Sequence, residues 1–158
     1  MKTLLLARHA KSDWGDPARS DHDRLLNTRG RRDAPVMAQR LRDDGLNVQH
    51  IVSSTALRAR ATADEYAASY RLEVADEPAL YLASAREILA IASRLPDDAD
   101  VAMLVGHNPG MTDAVAELTD AFVELPTCAV AECAVDVSTW SELIEGSGRM
   151  LQLRRPRD

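Results

Sequence analysis

Four residues in this chain have the types and the placing to handle a phosphoryl group: Arg8, His9, Arg58 and His107. Arg8-His9 directly follows the apolar run Thr3-Leu4-Leu5-Leu6-Ala7. Val101-Ala102-Met103-Leu104-Val105-Gly106 runs straight into His107-Asn108-Pro109-Gly110, and Ile51-Val52 leads through Ser53-Ser54 to Arg58. Short continuous apolar runs predict buried strands. In an α/β sheet the carboxyl ends of parallel strands share one rim, where ligands bind. Two imidazoles and two guanidiniums are therefore expected in one pocket.

Phosphate carries about two negative charges near neutral pH, so its site needs fixed cations. Arginine suits this because its planar fork meets two phosphate oxygens at once. Histidine, with an ordinary pKa of about 6.5, is neutral and nucleophilic near neutrality. Its attack on phosphorus gives a covalent phosphoryl intermediate and divides one hard step into two. The second histidine, protonated, would stabilise charge on the group in transfer. Backbone amides at the helix start near Asn108 and Gly110 would add oriented dipoles. His22 and His50 have no such setting and read as surface or structural residues.

The elements that must position these groups alternate. Strand one covers Thr3 to Arg8, followed by a polar loop from Lys11 to Asn27 that is longer than most connections and so functional or mobile. Thr28 is a plausible N-cap for a helix with Ala34, Met37, Ala38 and Leu41 on one face, closed by Gly45. A strand from Val48 to Ser53 and an alanine-rich helix from Ala56 to Ser69 come next, then a short strand from Leu72 to Ala75. Ser84 and Glu87 form a capping-box signature for a helix reaching Leu95. Val101 to Val105 is the clearest buried strand, and Pro109 opens a helix to about Thr119. Cys128 to Val137 and Met150 to Leu153 read as an antiparallel pair near a sheet edge.

This order predicts one domain over residues 1–158: a three-layer α/β/α sandwich with a mostly parallel central sheet and an antiparallel C-terminal hairpin. A chain of 158 residues with 46% hydrophobic content can bury a proper core. Its net charge of −6 offers no basic excess for nucleic acid. Arg154-Arg155-Pro156-Arg157 reads as a frayed, solvated tail. Cys128 and Cys133 read as packing residues, not a disulfide. Met1-Lys2 leads into a run too short for a signal-peptide core or a membrane span, so a cytoplasmic location and no membrane partner are expected.

Asp21-His22-Asp23, with Asp13 and Asp16, offers metal-type ligands, but they crowd one polar loop when metal sites usually draw on rigid elements. No metal or other cofactor is expected. Neither GxGxxG nor GxxxxGK[ST] occurs, so nucleotide-binding readings fall.

Arg8-His9-Ala10 resembles the Arg-His-Gly signature of the histidine phosphatase superfamily, whose fold is that of phosphoglycerate mutase. Ser53-Ser54-Thr55-Ala56-Leu57-Arg58-Ala59-Arg60-Ala61-Thr62-Ala63 is similar to its second motif, and Val105-Gly106-His107-Asn108-Pro109-Gly110 to its late motif. The stretch from Arg8 to Trp14, with Asp23 to Asn27 and Arg29 to Ala34, narrows the resemblance to the small SixA-type phosphohistidine phosphatases. By that resemblance His9 is the nucleophile; Arg8, Arg58 and His107 complete the catalytic set; and Asn108 and Ser12 join the phosphate-binding residues. Ala10 replaces the usual Gly, Gly15 stands where the mutases carry Asn, and Thr55 replaces a frequent Pro.

Mutases and many phosphomonoesterases of the superfamily carry a carboxylic acid that protonates the departing alkoxide. Here Glu77 and Glu87 lie in roughly the right region, yet Glu87 fits a helix cap and Glu77 a solvated charge before Pro78. General acid help is normally worth about 10²–10⁴-fold, and an imidazole leaving group demands less of it. No long lid insertion is present, so a histidine displayed on another protein could enter. A phosphohistidine-bearing protein, a phosphorelay or phosphotransferase component by analogy, is the expected partner, with a monomeric enzyme favoured. Two alternatives stand beside this: a small-molecule phosphomonoesterase using Glu77 or Asp13 as acid, and a phosphate-binding module without turnover.

Overall fold

The computed structural model describes all 158 residues. In chain order the elements are β1 (Lys2–Arg8), α1 (Thr28–Asp43), β2 (His50–Ser53), α2 (Leu57–Tyr70), β3 (Val74–Asp76), α3 (Ala85–Ala92), β4 (Val101–Gly106), α4 (Gly110–Thr119), β5 (Val130–Val135) and β6 (Gly148–Arg154). Single 3₁₀ turns lie at Pro78–Leu80 and Trp140–Glu142. The six strands form one sheet in the order β3-β2-β4-β1-β5-β6. β3, β2, β4 and β1 run parallel, while β5 is antiparallel to both β1 and β6.

Burial on both faces explains the continuous apolar strands. Leu5, Ala7, Ile51 and Met103 pack under α1 and α2, against Met37, Leu41 and Tyr66. Leu4, Leu6 and Leu104 face the other way, against Ile88 of α3, Met111 of α4 and Trp140. Cys133 lies in this second layer and Cys128 in the first, both buried and free.

Local chemistry sets the element ends. The capping box at Ser84 and Glu87 is formed. The N-cap of α1 is Asn27, not Thr28: Asn27 is extended and its side chain accepts from the Gly30 amide at 2.9 Å. β2 begins at His50, and β3 covers Val74–Asp76, two residues later than its sequence suggests. The extended segment before β2 is held differently, with the Gln49 amide donating to Val101 O at 2.9 Å.

The C-terminal stretch is docked, contrary to the frayed tail its composition suggests. Arg154 is buried and pairs with Asp44 at 2.7 Å and Glu132 at 2.8 Å. Arg40 donates to the carbonyls of Arg155 and Pro156, and Arg157 lies 3.6 Å from Asp33. Basic residues look solvated in a sequence because their carboxylate partners are distant in the chain. Arg154→Ala would leave Glu132 unpaired, and a loss of about 2–3 kcal/mol is expected. Urea unfolding of the two proteins checks it.

The long loop is part of the body of the protein. Ser12 bridges Leu26, the Asn27 amide donates to Lys11 O at 3.0 Å, and the Leu57 amide donates to His22 O at 3.0 Å. Its far end therefore rests on the start of α2, next to Arg58.

Candidate active site

The β1, β2 and β4 chain ends deliver the four residues to one place. His9 follows β1, His107 follows β4, and Arg58 sits in the first turn of α2, beyond β2. Arg8 and Gly106 are register partners, and the His9 amide donates to Gly106 O at 3.0 Å. The two imidazole centroids are 5.1 Å apart. Arg8, His9, Arg58, His107, Ser12 and Asn108 all line one cavity of about 230 Å³.

Hydrogen bonding selects the reactive atom of His9. Its Nδ1 lies 2.7 Å from Ala10 O, a pure acceptor, so Nδ1 carries the proton. Nε2 therefore keeps its lone pair. Burial, helped by His107 and the two arginines, pushes the His9 pKa down to about 3. The nucleophile is neutral throughout the physiological range.

His107 Nε2 lies 2.8 Å from Ser54 Oγ, and its Nδ1 lies 3.4 Å from Arg58 Nη2. Arg58 can only donate, so Nδ1 is the acceptor and Nε2–H donates to Ser54. Burial and the Arg58 charge lower the His107 pKa to about 4. The protonated His107 anticipated from sequence is thus corrected to a neutral one at pH 7, because burial and, after it, the Arg58 guanidinium disfavour the charged ring.

The arginines are partly committed and partly free. Arg8 Nη1 donates to Leu125 O at 3.1 Å, and Arg58 donates to Asp21 O at 2.6 Å and to Asp21 Oδ2 at 3.0 Å. Arg8 Nε and Arg58 Nε are buried donors without a protein partner. Leaving such donors unmade is costly unless a ligand uses them. Both side chains line the small polar cavity, and two guanidiniums there suit a tetrahedral oxyanion.

The Asn108 amide donates to Leu125 O (2.8 Å), and its carbonyl oxygen accepts from Thr112 N (3.1 Å) and Thr112 Oγ1 (2.9 Å). It holds the α4–β5 loop in place and lines the cavity, where its amide keeps a second N–H beside the one given to Leu125. At the start of α4, Met111 N donates to His107 O and Thr112 N to the Asn108 side chain. Gly110 lines a neighbouring groove and not the phosphate cavity.

Residues that the sequence did not single out for this pocket complete the wall. Asp21 is its sole carboxylate. Tyr81 Oη donates to Asp21 at 2.5 Å, and Arg58 and Arg24 (3.1 Å) also hold it. Those contacts, Tyr81 first and then Arg58, lower its pKa to about 2. Arg24 also donates to Ser12 and stacks on Trp14, 3.4 Å from the ring centroid. Asp21 had drawn notice only as a metal-type ligand; its oxygens are occupied by cations and a phenol. His22 is structural, bonded to Thr55 at 3.0 Å and edge-on to Tyr81.

The carboxylates weighed as acids lie elsewhere. Glu77 accepts from the Ala79 amide at 3.2 Å, Glu87 from the Ser84 amide at 3.1 Å and Asp13 from the Gly15 amide at 2.7 Å; none lines the cavity.

Comparison with known proteins decides the family. Residues 4–81, which hold Arg8, His9 and Arg58, match the Histidine phosphatase superfamily (branch 1). An uncharacterized chloroplastic protein of Arabidopsis thaliana is 33% identical over 93% of this chain and 72% of its own. The chain is a histidine phosphatase superfamily member. Among solved structures, a Nakamurella multipartitia protein provisionally named phosphohistidine phosphatase SixA is 27% identical, with a TM-score of 0.84 over 99% of this chain and 97% of that one. The protein histidine phosphatase SixA complexed with tungstate shares the fold at a TM-score of 0.84 and 23% identity, over 98% and 97% of the two chains. This histidine phosphatase thus has the phosphoglycerate-mutase-like sandwich anticipated from its sequence. No helix of it is long and apolar enough to cross a membrane.

The lowered histidine pKa values make stability depend on pH. In the unfolded chain both histidines take protons near pH 6.5, while in the fold they stay neutral to about 3 and 4. The unfolded state then binds more protons below pH 6.5, so stability falls as pH falls, by up to about 1.4 kcal/mol per pH unit for each histidine. A Tm series from pH 7 to pH 4.5 is expected to slope downward toward acid. His9→Ala should have a shallower slope; an equal slope would show that His9 is not held neutral.

Proposed function

We propose that this histidine phosphatase removes phosphate from phosphohistidine on a protein, without a general acid for an alkoxide. The observation that carries the reading is that the only carboxylate in the pocket wall, Asp21, is clamped by Tyr81 and Arg58. A carboxyl group with a pKa of about 2 holds no proton to give at pH 7. An alkoxide leaving group is poorly served there. A phosphohistidine whose distal ring nitrogen is protonated leaves as neutral imidazole and needs no such donor. The SixA names of the structural neighbours support the same substrate class.

In this reading His9 Nε2 attacks phosphorus, the substrate's P–N bond breaks and neutral imidazole departs. Arg8 and Arg58 hold the equatorial oxygens. Water then attacks the phosphorus of phospho-His9 and passes a proton to a phosphoryl oxygen. The P–N bond to His9 breaks, Nε2 regains its lone pair, and inorganic phosphate leaves. The small-molecule alternative lacks its acid, since neither Glu77 nor Asp13 reaches the cavity.

Single-turnover assays with chelator present compare a histidine-phosphorylated carrier protein with p-nitrophenyl phosphate. The carrier is expected to lose its phosphate faster than nitrophenol is released, and at least about 100-fold faster than an alkyl phosphate such as glycerol phosphate, whose alkoxide does need an acid. Faster release of nitrophenol would overturn the proposal.

A further inference from the structure

A second groove opens from the phosphate cavity. Leu82 lines both: one side of it faces His9 and His107, and the other a trough of about 780 Å³ between the starts of α3 and α4. Arg86 and Glu117 carry the trough on into a further depression of about 270 Å³ that ends at Ile144 and Glu145. The catalytic pocket is thus the head of a channel along α3 and α4, helices of 8 and 10 residues. At 1.5 Å per residue these give walls of about 12–15 Å.

Three features of this channel point to a ligand that is a polypeptide. Its exposed apolar residues are large and spaced along it: Leu82 is 58% exposed, Phe122 87% and Ile144 67%. Phe122, the only phenylalanine of the chain, lies on the α4–β5 loop, whose Leu125 carbonyl is fixed by Arg8 and Asn108. Leu82 adopts φ +52°, a left-handed backbone that leucine rarely takes. Such a conformation persists where the surroundings enforce it, and it is concentrated at functional sites.

Charge selects the kind of polypeptide. Glu87, Asp113, Glu117 and Glu145 line the channel against the single cation Arg86. Asp113 and Glu117 are one helical turn apart and share a face of α4. The phosphate cavity itself is cationic. A ligand must then present one phosphoryl group beside an apolar stripe edged with lysine or arginine.

Resting on the phosphohistidine reading, we infer that the α3–α4 channel docks a basic amphipathic helix of the phosphohistidine-bearing partner. Leu82, Phe122 and Ile144 receive its apolar face, and Asp113 and Glu117 receive its cations. Specificity then has two parts, a pocket for the phosphoryl group and a channel that rejects acidic surroundings.

Two synthetic amphipathic peptides test this, each with one phosphohistidine and differing only in lysine or glutamate along the polar face. Phosphoramidate serves as the small substrate. The lysine peptide is expected to show roughly tenfold higher kcat/KM than the glutamate peptide, carried by KM and weakened by salt. Asp113→Lys with Glu117→Lys should abolish or reverse that preference, and Phe122→Ala should lower kcat/KM for the lysine peptide several-fold. Phosphoramidate turnover should stay unchanged in both variants, which also shows that they are folded. Equal kcat/KM for the two peptides, or a preference that survives the charge reversal, overturns the channel alone. Hydrolysis of p-nitrophenyl phosphate with no action on phosphoramidate or either peptide overturns the phosphohistidine reading and the channel with it.

Discussion

His9→Ala is expected to lower the single-turnover rate by about 10⁴-fold or more while the protein remains folded. His9 supplies the only unprotonated nitrogen at the head of the cavity that no protein donor occupies, so no neighbour can replace it. His107 Nδ1 also holds a lone pair, but it faces Arg58 at 3.4 Å. The fold should survive because the ring makes one side-chain hydrogen bond, to its neighbour's carbonyl, whereas its backbone is tied by the Gly106 and Cys128 contacts. Acid-labile label from a ³²P-phosphorylated carrier should appear on the wild type after a rapid base quench and be absent from His9→Ala. Near wild-type turnover by the variant would end the covalent mechanism.

The second large effect is expected at Arg58, which has two tasks. One side of its guanidinium grips Asp21, and its Nε remains unpartnered. Arg58→Ala is expected to cost roughly 10³-fold or more in kcat/KM, the range seen when a transition-state arginine is removed. Arg58→Lys should recover little, since an ammonium cannot span two oxygens and hold Asp21 together. The loss of the grip has its own signal. Trp14, 71% exposed and stacked on Arg24, reports the same loop by fluorescence, while Trp140 is buried far from it in the opposite layer. Arg58→Ala should change the Trp14 emission, and Arg8→Ala should not. Full retention of phosphate affinity in Arg58→Ala would contradict the assignment.

The chemistry was legible in the sequence because it sits at the ends of strands. An apolar run announces its own end, and whatever polar residue follows in a parallel sheet arrives at the common rim. That placed His9, His107 and Arg58 without side-chain knowledge. Asp21, Arg24 and Tyr81 were hidden because they belong to irregular segments with no period to read. Asp21 reaches Tyr81 across 60 positions and Arg58 across 37. The tail was misread for the same reason: Arg154 finds Asp44 at a separation of 110 residues.

The register of β1 against β4 has a mechanical consequence. Neighbouring strands lie about 4.8 Å apart, a spacing set by backbone hydrogen bonds and common to all sheets. His9 and His107 leave adjacent strands at matched positions, and their rings stand 5.1 Å apart. The sheet therefore sets the spacing of the two backbones, and the bonds of His9 to Ala10 and of His107 to Ser54 set the rings on it. Core substitutions that loosen either layer can lower the melting point and leave that spacing untouched. Tolerance in this protein is graded by distance from the peptide lattice, with the bond-making atoms at the stiff end.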